Sequence, residues 1–295
     1  MDPIITGFLT FIGAASTQVL AALAGKLIDR GLSNIYTEEA VRQSISNYTE
    51  RIKQFGYDPI TESILISEYP LVVKKQKNKN NIVKIALEEL KEQQHLLSEE
   101  KIKSIDEDWL NMYFDAAEKT SKAETQYIWG RLLAGEFTNP GSVPKTLIHI
   151  LSIIEKEQAR AFVEICKHCI YSLNEDILNP VYFCDIFIDK EYWSYKGIDI
   201  STISELESIG LLKHFSHGLF NHVCFEIGEN EKFYLNQNRS IELIIPKDKQ
   251  IAFGDYDFST PGFALCKIII KDIEPEIEEH IKIDAIKKGF KLLQY

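Results

Sequence analysis

The chain has 295 residues, 45% of them apolar and 26% charged, which is the balance of a folded protein with room for two domains and excludes a disordered or collagen-like chain. Forty-four acidic against 33 basic residues leave a net charge of −11, so the molecule as a whole repels nucleic acid and anionic lipid. Five cysteines, an odd number without a regular framework, point to a reducing compartment.

Residues 3–25 carry no charge at all, and a run of this length could cross a bilayer as a helix. Thr10, Ser16, Thr17 and Gln18 dilute it, and no basic region precedes it as a signal peptide would require. Ile4, Phe8, Phe11, Ala15, Val19 and Ala22 recur at three- or four-residue steps. That spacing favours a helix buried in the protein or in a homo-oligomer, with a membrane span or interfacial attachment as the other readings. A second helix is predicted from Glu38 to Phe55, ended by Gly56, with Asp58-Pro59 opening a turn.

The basic stretch Lys74-Lys75-Gln76-Lys77-Asn78-Lys79 reads as a solvated loop, and Ile82–Leu97 as the next helix. Asp106 is a predicted N-cap for a helix carrying Trp109, Met112, Tyr113, Ala116 and Ala117 on one side. From Ser121 a further helix turns Ile128, Trp129, Leu132 and Leu133 inward and closes at Asn139-Pro140-Gly141. Pro144 suits the first turn of a helix to Ile154, and Glu157–Ile170 reads as one more, so five short helices form a bundle.

The runs D108-W-L-N, F114-D-A-A-E, W129-G-R-L-L-A-G-E, P140-G-S and E157-Q-A-R-A-F resemble an uncharacterised bacterial domain-of-unknown-function family. More distantly they are similar to the helical module of alpha-type abortive-infection proteins, which lie in phage-defence neighbourhoods. The shared positions, Trp109, Phe114, Trp129, Leu132 and Leu133 among them, are core aromatics and leucines. The resemblance therefore implies a family and a defence context, with no catalytic residue to carry over.

Val181–Ile188 is β-branched and aromatic and reads as a strand. Ser201–Leu212 reads as a helix broken at Gly210, with strands near His222–Ile227, Lys232–Leu235 and Ile241–Ile245. Gly228–Glu231 is the predicted hairpin loop between the first two strands. Ser259-Thr260-Pro261-Gly262 starts another helix, Glu276–Lys288 a last one, and Phe290–Tyr295 returns as a strand. This order resembles a winged-helix domain. Its short helix carries Glu205 and Glu207 and no base, which disfavours DNA and favours a protein partner.

Cys166 and Cys169 sit three apart in a predicted helix, a spacing that packing explains better than zinc. His214, His217 and His222 with Cys224, and Asp255 with Asp257, are the remaining clusters that could hold a metal or serve a hidden nuclease. No phosphate loop, dinucleotide fingerprint or nucleophile elbow occurs, so no catalytic, cofactor or metal residue is expected.

The expected architecture is α+β: an apolar helix over 1–30, a helical bundle over 31–172 and a smaller winged-helix-like α/β domain over 173–295. The expected function is abortive-infection-type defence in the cytoplasm or at the inner membrane, without catalysis, by self-association or membrane attachment. A phage trigger or protein partner would set it off. The rival is a cytosolic adaptor whose winged-helix-like domain docks another protein.

Overall fold

The computed structural model describes residues 22–23, 25–27, 38–174, 177–183, 197–214, 224–225, 231–234, 240–244, 251–252, 256–270 and 291–294. They divide into two compact units, residues 1–148 and 149–295. Helix dominates. Among its described residues the first unit has helices and no strand, and the second mixes helices with short strands.

In the first unit, α1 (Glu38–Phe55) and α2 (Pro59–Glu92) form a helical hairpin. Gly56 takes the left-handed φ of 71° that closes the turn. Asp58 then caps α2, accepting from the amides of Ile60 at 3.0 Å and Thr61 at 3.1 Å, with Pro59 as first helical residue. The predicted Asp58-Pro59 turn is thus a helix start. Tyr48 of α1 stacks on Tyr69 of α2 with ring centroids 3.9 Å apart, and Ser44 Oγ lies 2.7 Å from the Tyr69 hydroxyl.

The 34 residues of α2 run straight through the basic stretch expected to be a loop, a correction with a visible cause. Asn78 is buried, and its Nδ2 donates to the Glu118 carbonyl at 2.8 Å while Gln126 Nε2 donates to its Oδ1 at 3.2 Å. Lys75 and Lys79 bind the Glu118 carboxylate at 2.9 and 3.4 Å. Polar residues with partners at this spacing are helical residues, and lysine and glutamine lose little entropy in a helix. The predicted Ile82 start therefore disappears into a longer element.

After a short 3₁₀ turn at Gln94–Leu96 come α3 (Glu99–Ser104) and α4 (Glu107–Ala117), then α5 (Ala123–Thr138). Asp106 caps α4 through the Asp108 amide at 2.9 Å. The inward residues of α4 are Trp109, Leu110, Tyr113, Phe114 and Ala117, whereas Met112, expected inside, faces outward. Residues 25–27 are helical, with Leu23 and Leu27 buried and Lys26 paired with Glu107. The division between the units falls within α6 (Lys145–Ile153).

The second unit continues with α7 (Lys156–Lys167), which stops short of the predicted Ile170. Cys169 begins β1 (Cys169–Asn174) because Ile170 and Tyr171 pair with Tyr182 and Pro180 of β2 (Ile177–Phe183) across a register shift. Cys166 and Cys169 thus belong to different elements. Strand β2 begins upstream of the predicted Val181. It tolerates Pro180 because, among the described residues, it is the edge of a five-stranded antiparallel sheet, where a missing amide costs no ladder bond. The order β2-β1-β5-β6-β9 uses β5 (Glu231–Tyr234), β6 (Ser240–Ile244) and β9 (Lys291–Gln294).

Asp199 caps α8 (Ile200–Ser208), and Gly210 at φ 85° turns the chain into β3 (Leu212–His214). β3 pairs with β8 (Tyr256–Phe258), and β4 (Cys224–Phe225) pairs with β7 (Ile251–Ala252). The predicted Gly228–Glu231 hairpin is therefore corrected: β5 pairs with β6 instead of with β4. Helix α9 (Thr260–Ile269) is capped by Ser259, whose Oγ accepts from the Gly262 amide at 3.1 Å. A side chain at Gly262 would collide with the Leu211 carbonyl, so α9 packs against backbone there. The predicted helix Glu276–Lys288 lies outside the described residues.

Candidate interaction surface

Of the opening residues, Ile4, Phe8, Phe11, Ala15 and Val19 lie outside the described residues, while Ala22 is helical and half-buried. Among the described residues no helix is long and apolar enough to cross a membrane. Trp109, Phe114, Trp129, Leu132 and Leu133 are all buried in the first unit, and the three aromatic ones pack on Tyr113. Its ring centroid stands 5.0 Å from Trp109, 5.1 Å from Phe114 and 5.2 Å from Trp129. Trp109 Nε1 donates to the Val143 carbonyl at 2.7 Å, and the Tyr113 hydroxyl to the Trp129 carbonyl at 2.6 Å. Burial pushes the Tyr113 phenol well above the ordinary tyrosine range. This cluster is core, closed to any ligand.

The buried polar groups near it hold the frame. Glu136 accepts from the amides of Gly141 at 2.7 Å and Val143 at 3.0 Å, fixing the Asn139–Ser142 turn. Burial raises its carboxyl above the usual range against the pull of those two amides. Glu118 is also pushed up by burial, but Lys75 and Lys79 outweigh that and keep it below the usual range. Arg131 is buried beside Glu89, with Nε 3.7 Å from the carboxylate, and its guanidinium lies over the Tyr127 ring at 5.4 Å.

The metal candidates do not assemble where they can be seen. Among the described residues no three His, Cys, Asp or Glu side chains gather as a metal site. His214 packs edge-on to Tyr256 at 4.9 Å, and Asp257 stands opposite Lys213 in the β3–β8 ladder. Cys166 is buried and in no disulfide. His217, His222 and Asp255 lie outside the described residues.

The surface feature that sequence reasoning missed is on the α1–α2 hairpin. Phe55 is 72% exposed, Tyr57 44%, Ile60 73%, Ile64 49%, Leu71 60% and Val72 59%. Such a concentration of solvent-facing apolar side chains makes the hairpin the candidate interaction surface. On the opposite side of α2, Tyr69 meets α1, so this helix is apolar on more than one side. The available signal was the largely apolar run Ile60–Val73, and it was obscured by reading Asp58-Pro59 as a turn and not as a helix start.

Neither among curated proteins nor among solved structures does anything match the chain. A family model described as "Protein of unknown function (DUF2806)" matches residues 70–282, from the middle of α2 through both units and short of the exposed row's N-terminal part. By that match, which takes in the Trp109–Glu136 runs and most of the second unit, the chain belongs to the DUF2806 family.

Proposed function

We propose that this chain is a non-catalytic bacterial defence protein of the abortive-infection type. In this reading it acts by associating with copies of itself, with the inner membrane, or with both, through its apolar N-terminal region. The observation that carries this reading is the uncharged, largely apolar run of residues 3–25. The large apolar side chains exposed on α1–α2 and the more distant resemblance of the Trp129–Ala134 run to abortive-infection modules support it further. The second unit is read as a winged-helix-like docking domain for a protein trigger. The passage from α8 through Gly210 into the β3–β8 pair supports this, and the exposed Glu205 and Glu207 favour protein over nucleic acid.

The test is phage challenge of cells carrying the full chain beside a version lacking residues 2–20, with alkaline-carbonate fractionation of both. The deletion stops before Leu23 and Leu27, which are buried in the first unit. The full chain is expected to protect and to pellet with membranes or as an assembly, and the shortened chain to lose both properties. Protection and assembly untouched by the deletion would overturn this reading.

A further inference from the structure

The exposed row on α2 has a particular geometry. Ile60, Ile64, Ser67 and Leu71 follow the i, i+4, i+7, i+11 spacing of one helical face, and all four are exposed. Continued along the helix, the same face reaches Asn78, Ile82, Ile85 and Glu89, where α5 covers it. Asn78 is bonded to Gln126, Ile85 meets Gly130, and Glu89 faces Arg131. The first half of α2 therefore presents the uncovered continuation of an established helix–helix interface.

We infer that a second copy of this chain covers this face, α2 against α2 in antiparallel register. This inference rests on the self-association proposed above and names its surface. Two observations select that occupant. The row is self-complementary, because Ile60 lies as far before its midpoint as Leu71 lies after it, and Ile64 as far before as Ser67 after. An antiparallel twofold then sets Ile60 on the second copy's Leu71, at both ends of a strip about 16 Å long. Charge allows the approach, since Glu62 and Glu68 are the only charged residues from Ile60 to Leu71. By helical spacing Glu62 falls on the side away from the row and Glu68 at its margin. Lys74 comes only beyond Leu71, at the level of the second copy's Tyr57, where an ammonium meets an aromatic ring, and Lys75 is held by Glu118 of its own chain.

The experiment is sedimentation velocity on the full chain and on Ile60→Glu, Leu71→Lys and the double variant carrying both. Both positions are solvent-facing, so folding is spared, and circular dichroism checks it. Each single change is expected to weaken dimerisation at least tenfold. The double variant is expected to recover it, because the register sets the introduced carboxylate of one copy against the introduced ammonium of the other. Single variants that dimerise like the wild type would overturn the inference while leaving the self-association reading standing through residues 3–25. Loss without recovery would overturn the antiparallel register. A shortened chain lacking residues 2–20 that dimerises where the full chain does not would give the face to the chain's own N-terminal run. A monomeric wild type that floats with phosphatidylcholine vesicles while Ile60→Glu does not would give it to lipid. A monomer under every condition would overturn both the inference and the self-association reading.

Discussion

Glu136 shows how a buried charge can be structural and still leave a signature. Its two oxygens accept from Gly141 and Val143, so Glu136→Ala leaves two turn amides without acceptors, at a cost of about 1–3 kcal/mol. Glu136→Gln keeps one acceptor and carries no charge. Because burial raises the folded-state carboxyl above its unfolded value, the stability it contributes is complete below the ordinary glutamate pKa, about 4.3, and is lost as pH rises through the folded value. The wild type should therefore lose ground to Glu136→Gln as pH rises from the acid side toward neutrality. Urea unfolding of both proteins across that range checks it, and a pH-independent difference would show that the carboxyl does not titrate in this way. Nothing in the sequence marked this role. Glu136 stood in a run read for its leucines, and the amides that bind it belong to a turn whose fold is visible only in three dimensions.

Among the helices, α2 and α5 approach closely at Gly130. A Cβ there would lie 2.5 Å from Ile85 Cγ2, 2.7 Å from Ile85 Cβ and 3.0 Å from the Ile82 carbonyl. Gly→Ala in a helix interior gains about 1 kcal/mol from propensity, but overpacking costs about 1–3 kcal/mol. Two of the three obstructing atoms are close to or part of the backbone, so they cannot rotate aside and the overpacking term wins. Gly130→Ala should destabilise the protein by up to about 2 kcal/mol, and Ile85→Ala should absorb part of that cost. A double-mutant cycle by chemical denaturation measures the coupling, and strictly additive effects would mean that α2 and α5 slide apart freely. Two element starts were legible because a local device sets them, at Asp106 and Ser259, whose side chains cap their own helices. Boundaries were not legible where a distant partner decides. Lys75, Asn78 and Lys79 are helical because Glu118 and Gln126 receive them, and Pro180 is in a strand because that strand is an edge.

For the whole molecule, the net charge of −11 was plain from composition, and it opposes any association of two copies. What composition could not show is that the hairpin concentrates its apolar side chains on a strip almost free of charge. Those two facts give opposite salt responses to two kinds of assembly. If ion pairs between the lysine run and acidic residues held copies together, added salt would loosen them. If the apolar strip holds them, salt only weakens the repulsion between the two bodies, whose range shrinks from about 30 Å at 0.01 M to about 8 Å at 0.15 M. Sedimentation equilibrium of the full chain at these two ionic strengths should therefore show tighter dimerisation at the higher one. The Ile60→Glu variant should stay weaker at both, because its added charge sits inside the strip, at short range, where screening relieves little of the desolvation that burying it requires. Dimerisation that weakens with salt in the wild type would place the contact on charged surface and away from the Ile60–Leu71 face.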